Sequence, residues 1–218
     1  QHLLTNFNIK IPEKYKRDFS MAKLIINSFS KGSQYFIVIG FGDEEPIKKN
    51  TFLVNPIIRK EVKSLNSIYG KKILVYLNKF DKEIIKILKN INESFVIFGL
   101  DINKKENNLE FKTKDFFLEE LKNCKAIIAR AGFSLMSEGI YLKKPYFALP
   151  LKGHFEQVFN SLFLKDSGFG EYSKDLSKKE IIDFLNNLSK YKKELRKYKL
   201  NYNKLFQVLD KVLKKFEK

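Results

Sequence analysis

The sequence predicts an α/β fold in which a parallel sheet is covered by helices on both faces. Two observations carry this expectation. Short runs of β-type apolar residues alternate with longer segments of helical period, as strands joined by crossover helices require. Several runs, such as Ile73-Leu74-Val75-Tyr76 and Ala126-Ile127-Ile128-Ala129, are also apolar at consecutive positions, so both faces of those strands must be buried. With 218 residues, 44% of them hydrophobic, the chain can build a sizeable core.

In order, the β-type runs are 35–39, 51–54, 72–77, 94–98, 126–129 and 146–149. Helical periods fall between them at 14–29, 82–88, 116–121, 135–142 and 155–164. In the tail, Ser177-Lys178-Lys179-Glu180 has capping-box spacing ahead of the apolar positions Ile181, Ile182, Phe184, Leu185 and Leu188. A second amphipathic helix is marked by Leu205, Val208, Leu209, Val212, Leu213 and Phe216. Asn66, Ser67 and Gly70 interrupt the chain at about 65–71. Residues 1–66 hold too few strands for a full sheet and are expected to end a larger N-terminal domain. Residues 71–176 form a complete sheet domain, and 177–218 a helical segment that packs back on the first.

Composition narrows the chemistry. A single cysteine, Cys124, and two histidines, His2 and His154, speak against a disulfide and against a metal site built on those side chains. No metal and no cofactor is expected. No apolar run approaches the length of a bilayer span, and the N-terminus lacks signal-peptide layout, so a cytoplasmic protein is expected. The net charge of +17 comes almost wholly from lysine, with four arginines, and is spread along the chain. That distribution favours an anionic membrane surface over specific nucleic-acid binding.

The informative stretch is 126–160. A buried strand ends at Ala129, the chain turns through Arg130-Ala131-Gly132, and a helix opens near Phe133 or Ser134. Gly132 permits close approach of a ligand to the backbone, and the first amides of the helix form an anion site to which the Ser134 hydroxyl adds. Glu138 follows one turn later on the same helical face, where its carboxylate can accept from a ribose diol. After the 146–149 strand, the loop Lys152-Gly153-His154-Phe155-Glu156-Gln157 lies at the end where open α/β sheets collect ligands. Glu156 and Gln157 can there meet sugar hydroxyls. Each feature alone is common: such a glycine is usually only a turn, Glu138 only a solvated helix residue, and His154 only a loop residue.

The order RAGFSLMSE, KKPYFALP, GHFEQVFN resembles the donor-binding domain of MurG-like glycosyltransferases, the family 28 C-terminal domain. Asn55-Pro56-Ile57-Ile58-Arg59 resembles the segment by which those enzymes leave their N-terminal domain. The Gln1-His2 pair resembles one found in uncharacterised archaeal-type homologues. The resemblance implies two Rossmann-like domains of GT-B type, the first incomplete here. It implies that Gly132, Phe133 and Ser134 meet the diphosphate, Glu138 the ribose, Glu156 and Gln157 with His154 beside them the donor sugar, and residues 112–116 the base. The first strand's loop departs from the pattern: Asn78 stands where a Gly-rich loop is expected.

These readings point to transfer of a sugar from a nucleotide-diphosphate donor, a uridine one by the resemblance, to an unassigned acceptor. Arg130 and Lys152 are candidates to stabilise the departing diphosphate, and the catalytic base is not located. Starting at Gln1 and lacking most of a first domain, the chain is expected to be a fragment that binds nucleotide with little turnover. A lipid-linked acceptor at the inner membrane face would suit the basic tail. The alternatives are a non-catalytic nucleotide-sugar-binding module and a basic nucleic-acid-binding protein. A nucleotide-sugar 2-epimerase shares the architecture but needs acid and base residues not found here.

Overall fold

A computed structural model describes residues 3–42, 44–201 and 203–216; the Gln1-His2 pair lies outside them. In chain order the helices and strands are α1 (Leu3–Asn6), α2 (Lys16–Phe29), β1 (Phe36–Ile39), β2 (Thr51–Val54), α3 (Lys60–Lys63) and β3 (Ile73–Tyr76). Next come α4 (Lys82–Lys89), β4 (Phe95–Phe98), β5 (Lys104–Glu106), β6 (Leu109–Phe111), α5 (Phe117–Asn123) and β7 (Ala126–Ala129). The remainder are α6 (Phe133–Tyr141), β8 (Tyr146–Ala148), α7 (Phe155–Asp166), β9 (Gly170–Tyr172), α8 (Lys178–Asn186), α9 (Leu188–Lys197) and α10 (Lys204–Leu213). The chain forms two compact units, residues 1–57 with 199–218, and 58–198.

In the first unit β1 and β2 pair in parallel from Phe36↔Thr51 to Ile39↔Val54. Phe7, Val38 and Leu53 form one buried cluster. Val54 forms another with Val208 and Val212 of α10. The tail is therefore divided: α10 packs here, whereas α8 and α9 belong to the second unit.

The second unit is a seven-stranded sheet in the order β5-β6-β4-β3-β7-β8-β9. All neighbouring pairs are parallel except β5 with β6. Taken without the β5 edge, this is the doubly wound order, in which the chain runs outward one way from β3 and then the other way from β7. The predicted α/β fold with a mostly parallel sheet is what the chain forms. Ile73, Val75, Ile97, Ile128 and Phe147 lie in one buried cluster with Ile181, Phe184, Leu188 and Tyr191, so α8 and α9 belong to the packed sheet unit. Phe184 meets Phe147 edge-on at 5.3 Å between ring centroids.

Local signals explain the helix starts. Asp81 accepts the Ile84 amide at 3.2 Å and opens α4, whose Ile84, Ile85 and Leu88 are buried. The predicted capping box forms at α8: Ser177 Oγ accepts from the Glu180 amide at 3.2 Å, and Glu180 Oε2 accepts the Ser177 amide at 2.9 Å.

The hairpin of β5 and β6 and the last strand β9 were not among the predicted strands. The hairpin turns at Asn107, in the left-handed region at φ 52°. Asn108 anchors it by donating from Nδ2 to the carbonyls of Leu88, Ile91 and Glu93 at 3.0, 2.9 and 3.0 Å.

The interrupted segment at 65–71 lies inside the second unit, tied down by a lysine. Lys144 is fully buried, at 0% exposure. Its ammonium donates to the carbonyls of Ile68, Lys122 and Cys124 at 2.5, 2.8 and 2.8 Å. Tyr69 adds a bond from its hydroxyl to the Lys143 carbonyl at 2.6 Å.

Candidate functional site

Strand order reverses between β3 and β7, and the crevice beyond the carboxyl ends at such a reversal is where open α/β sheets bind ligands. Three loops from the adjacent strands β3, β7 and β8 end there, carrying Asn78, the 130–132 turn and residues 149–154.

The turn is held from behind. Tyr146 Oη donates to the Arg130 carbonyl at 2.7 Å, and Asn160 Nδ2 donates to the Ala131 carbonyl at 2.9 Å. In a trans peptide the N–H points opposite to the C=O, so the Ala131 and Gly132 amides are directed away from Tyr146 and Asn160. Asn160 is buried, which makes that direction a property of the core. Replacing Asn160 by Ala should strand the Ala131 carbonyl at a cost of about 1–3 kcal/mol. Urea denaturation measures that loss, and unchanged stability would deny Asn160 this role.

Gly132 is the N-cap residue of α6, at φ −70° and ψ 135° with no side-chain cap bond. A Cβ built there would meet nothing within 4 Å. The backbone angles suit any residue, so what this glycine contributes is the space where a side chain would stand. The first turn of α6 then offers amides and the positive end of the helix dipole to an anion. Ser134 is exposed in that turn and Phe133 half-buried. The helix lies close on its sheet because Gly139 faces it: a Cβ there would come within 2.9 Å of Ile127 Cδ1.

Glu138 lies one turn deeper, at 5% exposure, and holds Arg59 in a bidentate pair. Arg59 Nε and Nη2 donate to its two oxygens at 2.6 and 2.9 Å. The Arg59 side chain is 54% exposed, and this pairing raises its pKa further, with burial opposing. Each carboxylate oxygen retains acceptor capacity beyond the one arginine bond. The site is a carboxylate oriented by a guanidinium.

On the β8 side, Lys152, His154 and Glu156 are exposed. Gln157 Oε1 accepts the Leu151 amide at 3.0 Å, folding the loop against the start of α7. Arg130 reaches the same loop, its Nη1 lying 3.4 Å from the Leu149 carbonyl. Asn78 is exposed just past β3. Thus Asn78, Arg130, Gly132, Phe133, Ser134, Lys152, His154, Glu156 and Gln157 sit on the loops and helix starts after three neighbouring strands. The segment expected at the base is less available: the Lys112 amide donates to Ile97 at 2.9 Å, and its ammonium is held by Glu120 and Glu110 at 2.6 and 3.2 Å.

The partner of Glu138 and the two donors behind the turn were missed in the sequence. Arg59 is 79 residues from Glu138, and Asn160 and Tyr146 are 29 and 16 residues from the carbonyls they hold. No local spacing encodes such pairs.

Two cavities of the second unit lie elsewhere. One, of 480 Å³, is lined by Lys71, Glu93, Ser94, Asn108 and Lys125 at the amino ends of the strands. The other, of 340 Å³, follows α9. Neither is lined by residues of the candidate site, whose chemistry rests on the strand order and the turn. Among the described residues no cluster of three or more His, Cys, Asp or Glu is placed to hold a metal ion.

The doubly wound sheet with its strand-to-helix turn is a Rossmann-like domain of GT-B type, and solved glycosyltransferases share the fold. The glycosyltransferase of kitacinnamycin superposes with TM-score 0.56 at 12% identity, over 92% of this chain and 68% of that one. SnogD from Streptomyces nogalater gives TM-score 0.50 at 12% identity, over 75% and 49%. The spinosyn rhamnosyltransferase SpnG, complexed with thymidine diphosphate, gives 0.51 at 11%, over 75% and 53%. The chain thus spans about half the length of SnogD and SpnG. It belongs to glycosyl transferase family 1, whose family model matches residues 1–189. No curated protein matches it.

Proposed function

We propose that the second unit binds the diphosphate of a nucleotide-sugar donor at the Gly132 turn, for transfer of the sugar to an acceptor. One observation carries this reading: the turn's two carbonyls are tied back by Tyr146 and Asn160 while the Cβ position of Gly132 is empty. Gly132, Phe133 and Ser134 receive the diphosphate, with Asn78 across the strand-order reversal. Glu138, aimed by Arg59, takes the ribose hydroxyls. Glu156 and Gln157 face the sugar, with His154 beside them. Arg130 and Lys152 offset the charge that grows on the departing diphosphate, together with the helix dipole. No metal is required in this scheme.

The resemblance to the MurG-like family 28 donor domain favours uridine, and SpnG holds thymidine diphosphate, so the donor class is a pyrimidine nucleoside diphosphate sugar. The acceptor is lipid-linked in this reading, and the chain works at the cytoplasmic face of an anionic membrane. Support for the membrane is the excess of lysine; among the described residues no helix is long and apolar enough to cross one.

Titration calorimetry with uridine and thymidine diphosphates, beside an assay for nucleotide released from their sugars, tests binding and turnover separately. Binding without any release would favour a binding module. Glu138→Ala should weaken nucleotide binding by about 1.5–3 kcal/mol through loss of a charge-assisted contact. Equal affinity in that variant would remove Glu138 from the ribose.

A further inference from the structure

We propose that the exposed face of α9, with Ile68 and Tyr69 beside it, is a docking surface for an anionic lipid bilayer. The proposal gives a place to the membrane attachment suggested above and rests on that reading, while using no residue of the donor site.

Helical spacing puts Ser189, Lys192, Lys193, Arg196 and Lys197 at i, i+3, i+4, i+7 and i+8, which is a single stripe. These residues line the 340 Å³ groove. The other side of the helix, Leu188, Tyr191 and Leu195, is buried, so the stripe cannot turn inward. Glu194 answers only part of the charge, holding Lys197 at 2.7 and 2.9 Å. Among the described residues no carboxylate pairs with Lys192, Lys193 or Arg196. Lys192 is fixed 3.9 Å from the centroid of the Tyr69 ring. Burial lowers its pKa, and repulsion from Lys125 and Arg196 adds to the effect. Cations crowded in this way gain from an external anion.

The apolar neighbour decides which anion. Ile68 is 54% exposed and Tyr69 36%, and the Tyr69 ring is held in place by its bond to the Lys143 carbonyl. An aromatic ring against a lysine-rich stripe, with an exposed aliphatic residue preceding it in the chain, matches the boundary between headgroups and acyl chains. A nucleic acid would satisfy the stripe but make no use of Ile68.

Sedimentation with vesicles of phosphatidylcholine, with and without one third phosphatidylglycerol, tests this on the full chain. The chain should bind the anionic vesicles, and binding should fall with added salt. Neutralising one cation of the stripe should weaken partitioning about fivefold, so Lys193→Gln with Arg196→Gln should lose roughly 25-fold. Ile68→Ser should lose roughly tenfold at any salt concentration, and Lys86→Gln with Lys105→Gln should lose nothing. Circular dichroism melting verifies that each variant is folded, and uridine diphosphate titration that its donor site is unchanged.

A wild-type chain that ignores anionic vesicles would overturn both the membrane reading and this surface. Binding that survives the α9 pair, or falls equally in the Lys86 and Lys105 pair, would overturn the surface alone. Salt-dependent retention of duplex RNA that is lost in the α9 pair, with no effect of Ile68→Ser on vesicles, would assign the stripe to nucleic acid.

Discussion

Replacing Gly132 with valine is expected to remove nucleotide binding while leaving the fold intact. The native angles, φ −70° and ψ 135°, lie in the extended region open to every L-residue. A Cβ there meets no atom within 4 Å, so the change in stability should stay within about 1 kcal/mol, most of it valine's poorer fit than glycine's at a helix N-cap. Its two methyl groups would occupy the space where a diphosphate must come within hydrogen-bond distance of the amides. Loss of those charge-assisted bonds predicts at least a 100-fold weaker affinity, about 2.7 kcal/mol, with alanine intermediate. Calorimetry with uridine diphosphate and a thermal melt give the two readouts. A valine variant that binds nucleotide as tightly as the native chain would show that the turn is no anion site.

The reverse pattern is expected at Lys144, where methionine should lower stability without touching the donor site. Methionine fills a similar volume but offers no donor, so the carbonyls of Ile68, Lys122 and Cys124 lose a shared partner inside the protein. Relief from burying an ammonium offsets part of that loss, and a net cost of about 2–4 kcal/mol follows. The pH dependence separates this from a packing defect. Burial pushes the pKa of Lys144 down to about 8, below the value near 10.4 of an unfolded lysine. Between those limits the unfolded chain holds more of this proton. The native protein therefore gains stability from Lys144 as pH rises from about 8 to 10, a gain the methionine variant lacks. Urea melts across that range should show the two chains diverging; parallel curves would mean Lys144 is charged to the same extent folded and unfolded.

Much of the sheet was legible because a doubly covered parallel strand must be apolar at every position, and 73–76, 95–98 and 126–129 are. The edges were not. Lys104-Lys105-Glu106 is a strand by virtue of its partner β6, with no burial to mark it. Gly170-Glu171-Tyr172 is three residues long and stands at the sheet's edge beside β8. At the site, the Gly132 turn could be read from order alone, because a strand, a turn and a helix start are contiguous. The side chains that hold it, and the arginine on Glu138, come from separate elements and become visible only when the sheet brings them together. Gln157 shows the limit differently: its place in the loop after the 146–149 run marked it for the sugar, but nothing in the sequence told that its side-chain oxygen also accepts the Leu151 amide.

The first unit is discontinuous in the chain, and this sets an order on its synthesis. Every strand and helix of the seven-stranded sheet is synthesised before Val208 and Val212 are. The cluster they complete around Val54 must therefore wait. During that interval Val54 and its neighbours on β1 and β2 lack their covering helix.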